Sequence, residues 1–289
     1  MIREVHEPQL VFAPDMTLGR VDASPFLKWA GGKGQLLSQF APFFPDLSDI
    51  ECYYEPFLGG GAVFFHLQPP RSHLSDSNAE LMEVYTVVQT QVEELIQALK
   101  AHQNEPHYYY RIRTLNPRLL SPVERASRFI FLNKTCYNGL YRVNRKGQFN
   151  VPFGRYRNPK ICDAEGLRAA SMALQGARLE VADFEEALSD AGASDFVYLD
   201  PPYHPLSETS SFTGYTAEGF DEAEQKRLAR VYQELDRRGC LVMLSNSDTP
   251  LIRQLYRGFR ISELQANRAI NSQGGGRGPI TELLIVNYV

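Results

Sequence analysis

The run "FVYLDPPYHP" occupies residues 196–205. Four apolar residues end on Asp200, and Pro201, Pro202 and Tyr203 follow at once. Proline fixes its own φ, removes a ladder donor and restricts the residue before it. The pattern predicts a buried strand whose carboxyl end holds Asp200 in one pose, where open α/β sheets place their ligands. A carboxylate beside a proline-fixed carbonyl offers two acceptors, which suits an exocyclic amine on a flat ring. The lone pair of such an amine is delocalised and poorly nucleophilic. One N–H given to Asp200 and the other to the Pro201 carbonyl would localise it and neutralise the positive charge that develops during attack. Tyr203 could stack on the ring face. No covalent enzyme intermediate is required.

A second constellation lies upstream. "ECYYEPFLGGGAVFFHL" (51–67) reads as a short strand, a glycine turn at Gly59-Gly60-Gly61 and the start of an apolar helix. Such a turn lets backbone approach a ligand closely, although glycine turns alone are common. "SHLSDSNAELMEVY" (72–85) reads as a second strand ending at Asp76, then a helix from near Asn78. Asp76 is placed to take ribose hydroxyls or to cap that helix, a role Ser77 or Asn78 could fill instead. "WAGGKGQ" (29–35) is no GxxxxGK[ST] phosphate loop, because Leu27 and Gly34 stand where that motif needs glycine and Ser/Thr.

These groups must be positioned by an α/β body. Its signals are the β–glycine turn–α–β–acid arrangement above, then "ARLEVADF", "FVYLDPPY", "CLVMLSNSD" and the closing "TELLIVNYV". From about residue 85 to 160 the chain turns helical and basic. Ser121-Pro122-Val123-Glu124 is a capping box with proline at the first helical position, opening a helix to about Asn133. "YRVNRKGQFNVPFG" (141–154) alternates about a basic glycine turn and reads as a hairpin. The expected organisation is an extension over 1–23, an α/β domain over 24–84 and 163–289, and an inserted module over 85–162.

The net charge of −4 conceals an asymmetry: residues 111–160 carry twelve Lys/Arg against one acid, Glu124. Phe129, Phe131, Tyr137, Tyr141, Phe149, Phe153 and Tyr156 interleave with those bases. A solvated face normally mixes signs, so the pattern points to a polyanion with stackable bases. The 289 residues and 43% hydrophobic content support a full core. The N-terminus lacks an apolar stretch of signal-peptide length and no run approaches a membrane span, so a cytoplasmic protein is expected. Cys52, Cys136, Cys162 and Cys240 lie far apart and the six histidines do not cluster, which argues against disulfides and metal.

Taken in order, the motifs resemble the Dam-type (D12 class, group alpha) DNA N6-adenine methyltransferases. The similarity runs from Phe26 to Tyr288 through "FLKWAGGK" (26–33), "EPFLGGG" (55–61), "DSNAELMEVY" (76–85), "NKTCYNGLYRVNRKGQFNVPFGRY" (133–156), "ADF" (182–184), "DPPYHPLSETSSFTGYTAEGF" (200–220), "SNSD" (245–248) and "ELLIVNY" (282–288). It implies a Rossmann-like α/β fold with a mixed seven-stranded sheet and a small, mostly helical DNA-recognition insert. It implies S-adenosylmethionine as methyl donor, no metal, and double-stranded DNA as partner of a monomer that works at the nucleoid. Trp29, Lys33, Glu55, Phe57, Gly59, Gly61, Asp76, Asp183, Phe184 and Asp200 would form the donor site. Asp200, Pro201, Pro202 and Tyr203 would hold an adenine swung out of the duplex, since N6 inside a duplex is out of reach. Lys28, Lys134, Tyr137, Asn138, Leu140, Arg142, Arg145, Lys146 and Tyr156 would contact DNA, with GATC as target. The polar stretch 204–220 would form a lid.

Two alternatives stand beside this. N4-cytosine methylation also attacks through an exocyclic amine, but that chemistry tends to carry Ser where Asp200 stands. A DNA-binding homologue without activity would have little use for an intact 200–203 motif. C5-cytosine methylation needs a nucleophilic cysteine, and none lies in a comparable loop.

Overall fold

The structure, a computed structural model, describes residues 20–206, 220–266 and 280–288. The expected extension falls outside the described residues up to residue 19, and the expected lid falls outside them over 207–219.

Seven strands form one mixed sheet: β1 (Tyr53–Glu55), β2 (Ser72–Asp76), β3 (Ala177–Val181), β4 (Phe196–Leu199), β5 (Leu241–Ser247), β6 (Arg260–Ala266) and β7 (Ile280–Val286). Their order is β3-β2-β1-β4-β5-β7-β6. β7 runs antiparallel to both neighbours, and the pairs from β3 through β5 are parallel. The chain order reverses between β1 and β4, so Glu55 at the end of β1 and Asp200 just after β4 meet at the switch point, the crevice such sheets use for ligands.

The helices are α1 (Leu37–Phe40), α2 (Ala62–Leu67), α3 (Ala79–Thr90), α4 (Val92–Lys100), α5 (Pro106–Thr114), α6 (Pro122–Thr135), α7 (Ala164–Ala173), α8 (Phe184–Ala187), α9 (Glu222–Arg237) and α10 (Pro250–Leu255). They cover both faces of the sheet. β4 shows why: all four of its residues are buried, and alternate side chains point opposite ways. Phe196 and Tyr198 enter the core with α2, α3 and α7, whereas Val197 and Leu199 enter the core with α8, α9 and α10.

A third, smaller core belongs to the basic segment and gathers Tyr109, Ile112, Phe131, Leu132, Cys136, Phe149 and Val151. α6 serves two cores, since its Ala126, Phe129 and Ile130 pack with the main body. The capping box forms as expected, with the Glu124 carboxylate accepting from the Ser121 N–H at 2.7 Å. The hairpin of 141–154 is held by a sparse ladder rather than regular strands, with single bridges from Val143 to Phe149 and from Cys136 to Phe153. Pro152, which has no N–H, limits that ladder. The expected boundary at residue 85 lies inside α3, which runs unbroken to Thr90 because Leu81, Val84, Tyr85 and Val88 make one buried stripe. Among the described residues, no helix is long and apolar enough to cross a membrane.

Candidate active site

β4 delivers Asp200 to the switch point, and two side chains, Lys33 and Ser245, bond to its carboxylate. Lys33 Nζ lies 2.7 Å from Oδ1 and 2.8 Å from Oδ2. Its side chain is 5% exposed and that of Asp200 19%. Ser245 Oγ, from β5, donates to Oδ1 at 3.0 Å and stands 3.0 Å from the Tyr198 hydroxyl. Each bond fixes the carboxylate pose, and the cation supports its charge where water is scarce. Lys33 Nζ also lies 4.8 Å from the centre of the Tyr203 ring. No group among the described residues donates to the Pro201 carbonyl.

Rigidity after Asp200 comes from the second core as well as from proline. Gln225 of α9 donates to the Pro202 carbonyl at 2.9 Å and accepts from Asn246 Nδ2 at 3.1 Å. Asn246 Oδ1 accepts from the His204 N–H at 3.1 Å. Both amides are fully buried, so every broken bond would strand a polar group. The Tyr203 hydroxyl donates to Glu282 Oε2 at 2.7 Å, which pins its ring. Burial, with Asp200 and Glu282 nearby, holds that phenol well above its usual range. Burial likewise raises Glu282.

The glycine turn forms the adjoining wall. Gly59 and Gly61 have φ of +49° and +66°, a region L side chains avoid. A Cβ at Gly59 would come within 2.7 Å of Trp29 Cδ1. The Tyr85 hydroxyl holds the turn from α3 by donating to the Gly59 carbonyl at 3.0 Å. Gly59→Ala is therefore expected to lose about 1–2 kcal/mol from backbone strain alone, with the ring contact adding to it. A denaturant midpoint equal to that of the parent protein would contradict this.

Glu55 is buried behind the turn. Its Oε2 accepts from the Tyr53 hydroxyl at 2.8 Å and the Phe64 N–H at 3.2 Å, and burial pushes its carboxyl up to about 8. Asp76 accepts from the Gly59 N–H at 3.0 Å and the Asn78 N–H at 2.9 Å, while burial raises its carboxyl. The helix cap is Asn78, which accepts from the Leu81 N–H. That leaves Asp76 on the turn side. Phe57, Phe184 and Phe220 form an aromatic group with centroids 5.3–5.9 Å apart. Asp183 caps α8 and pairs with Arg227 through two contacts of 2.7 Å, which holds its carboxyl below the usual range. The Arg227 guanidinium sits 4.0 Å from the Phe184 ring centre. Left-handed glycines, a buried carboxyl, a strand-end acid and an aromatic group make a donor set that fits a small molecule with a cationic amino acid end, a ribose and a flat base.

Glu55, Asp76 and Asp200 thus stand at the carboxyl ends of β1, β2 and β4, with Lys33 paired to Asp200, Trp29 against the Gly59–Gly61 turn, and Phe57 beside Phe184, which follows Asp183 after β3. The expected DNA-contacting residues lie on the basic segment. Tyr137 is half exposed and Asn138 has a left-handed φ of +56°. Arg142, Arg145 and Lys146 are exposed, and Arg142 donates to Asn150 Oδ1 at 2.7 Å. Lys28 Nζ lies 3.8 Å from the Tyr156 ring centre, and Leu140 is half-buried. Burial and the neighbouring Lys28 depress Lys134. Among the described residues none of these five cations has a carboxylate partner within ion-pair distance.

The D12 class N6 adenine-specific DNA methyltransferase family matches residues 29–270. The chain belongs to this family. It is 44% identical to the Type II methyltransferase M1.LlaDCHI of Lactococcus lactis subsp. cremoris, over 93% of this chain and 97% of that protein. It is 46% identical to the Type II methyltransferase M.MjaIII of Methanocaldococcus jannaschii, over 93% and 100%. It is 38% identical to the DNA adenine methylase of Escherichia coli K12, over 90% and 93%. The protein is an adenine-specific DNA methyltransferase of the D12 class, and the family implies S-adenosylmethionine as methyl donor and DNA as substrate. Cytosine as the target base falls away with that assignment.

Sequence reading gave no role to Ser245, Gln225, Asn246, Glu282 or Arg227. Four of them carried a signal. Ser245 and Asn246 interrupt the apolar run "CLVMLSNSD", Glu282 interrupts "TELLIVNYV", and Gln225 lies on the buried stripe of α9. A polar side chain inside a buried strand or stripe needs a partner.

Proposed function

We propose that this methyltransferase acts on adenine N6 within GATC in double-stranded DNA, after the base has swung out of the helix. The observation that carries the reading is the Asp200 carboxylate, set by Lys33 and Ser245, next to a Pro201 carbonyl that accepts from no group among the described residues and close in sequence to the Tyr203 ring pinned by Glu282. Asp200 and Pro201 accept the two N6–H bonds and Tyr203 supports the ring face. When bound, S-adenosylmethionine supplies an electrophilic methyl group on a sulfonium cation. As the new N–C bond replaces the sulfur–methyl bond, Asp200 stabilises the positive charge that appears on nitrogen, and that charge is discharged when N6 gives up one proton to Asp200 or to water. Lys33 turns towards Gly31, whose carbonyl it already contacts at 2.6 Å, as the amine takes its place. The Gly59–Gly61 turn and Glu55 hold the amino acid end of the donor, Asp76 its ribose, and Asp183 with Phe184 its adenine. Trp29 packs on the turn.

The exposed hairpin cations support major-groove reading, where Arg or Lys to guanine is the commonest specific contact. Arg142 and Leu140 read base edges, Lys28 takes the outer guanine, and Tyr137 with Asn138 supports the gap left by the base. Lys134, Arg145, Lys146 and Tyr156 flank them. The enzyme works as a monomer at the nucleoid.

The test is transfer of a radiolabelled methyl group to duplexes that contain or lack GATC. Transfer confined to the first is expected, and Arg142→Ala should narrow the difference between them about tenfold or more, the worth of one specific base contact. Equal transfer to both duplexes by the parent enzyme would refute the GATC reading.

A further inference from the structure

Asn133 lies in the last turn of α6 and is 2% exposed. An amide buried so deeply must find its partners within the protein. Its Oδ1 accepts from the Lys28 N–H at 2.8 Å. Its Nδ2 donates to the Lys28 carbonyl at 2.7 Å and to the Gly139 carbonyl at 3.2 Å. Both backbone polar groups of Lys28 are therefore held by one side chain 105 positions away, and the same side chain grips the turn that carries Asn138. Gly139, with φ of +64°, admits Lys28 so closely that a Cβ there would stand 2.6 Å from the lysine Cβ.

The arrangement joins two parts of the molecule. Lys28 ends over the ring of Tyr156, and the Tyr156 carbonyl is tied to Asn104 Nδ2 at 2.8 Å. The next residue, Trp29, contacts Gly59 and stacks on Tyr141 of the hairpin with centroids 5.6 Å apart. A lysine on a four-carbon stem reads one base edge only if its backbone is fixed relative to the other reading groups. Asn133 supplies that fixation. Attraction to phosphates depends on charge alone and does not need it.

We propose that Asn133 is a specificity-positioning residue, clamping the Lys28 backbone against the Tyr137–Leu140 turn so that Lys28 and the Arg142 hairpin meet DNA as one rigid surface. The proposal rests on the reading of that hairpin given above. Asn133→Ser is expected to lower the ratio of kcat/KM on a GATC duplex to that on a duplex with one outer base pair changed by about tenfold or more, the weight of one base contact. Binding of a duplex without the site should change less than twofold at equal salt. Because the residue acts through Lys28, Asn133→Ser placed in a Lys28→Ala background should lower the ratio no further.

If Asn133→Ser does not fold, Gly139→Ala presses on the same contact from the other side and is read in the same cycle. Equal loss on both duplexes together with a lowered melting temperature would mean a merely structural amide and would overturn the proposal. So would an unchanged ratio, or full additivity with Lys28→Ala. Absence of preference in the parent enzyme would instead contradict the hairpin reading, whereas preference that survives in Asn133→Ser contradicts the clamp alone.

Discussion

Asp200→Asn lowers single-turnover methyl transfer by about 10³-fold or more while duplex affinity stays within about twofold; this is the expected result with the largest kinetic effect, at the scale of lost charge stabilisation or acid–base function. An amide keeps the size of the carboxylate but presents an N–H where the attacking nitrogen needs an acceptor, and it withdraws the negative charge. The structure adds a complication. Lys33 is 5% exposed and has Asp200 as its carboxylate partner, so the variant leaves a buried ammonium unpaired. Breaking such a pair costs about 3–5 kcal/mol, and loss of activity could then be mistaken for loss of fold. Lys33→Met combined with Asp200→Asn removes both charges and should recover most of the lost stability without recovering transfer. Melting temperatures and rates measured on the same preparations separate the two effects. Turnover like that of the parent in Asp200→Asn would end the proposed chemistry.

The second large effect concerns stability and pH. Glu55 is held at about 8 against an ordinary 4.5, so it is protonated in the folded protein at neutral pH and ionised in the unfolded chain. Between those values the unfolded chain binds fewer protons, and stability falls as pH rises, levelling off above about 8. At about 1.36 kcal/mol per pH unit, the span is worth on the order of 5 kcal/mol. Glu55→Gln keeps an acceptor for the Tyr53 hydroxyl and the Phe64 N–H but cannot ionise. Its stability should match the parent near pH 5 and exceed it by several kcal/mol near pH 9, on the same linkage. Denaturant unfolding across that range gives the two curves, and parallel curves would disprove the assignment. The carboxylate that costs stability is also the one proposed to meet the donor's ammonium, so the variant should bind S-adenosylmethionine more weakly near pH 9, with the difference shrinking towards pH 5, where both side chains are uncharged.

What the sequence carried was local. The capping box at Ser121 and Glu124, the strand that stops at Asp200 and the glycine turn before α2 are each decided within a few residues by backbone chemistry, and each was legible. The seven-stranded sheet followed from the family motifs rather than from periodicity, since β1 has three residues and no pattern of its own. The partners of the site were not legible, because they are set by which strands lie side by side. Lys33 and Asp200 are 167 positions apart, and Tyr203 and Glu282 are 79 apart. Ser245 and Glu282 lie on β5 and β7, whose antiparallel pairing places Ser247 opposite Glu282. A polar residue in an apolar strand announces that it has a partner but does not name it. Asp183 was read as a contact for the donor's adenine, and its engagement by Arg227 depends on α9 crossing beside α8.

The chain contains a single tryptophan, and it stands at the seam between the glycine turn and the stacked rings of Phe129 and Tyr141. Indole emission from this protein therefore comes from one place, where the glycine turn proposed to hold the donor meets the basic module. If donor and DNA bind where proposed, each arrival alters the surroundings of that one fluorophore, and the protein would carry an intrinsic optical probe of both events and of their order, with no label added.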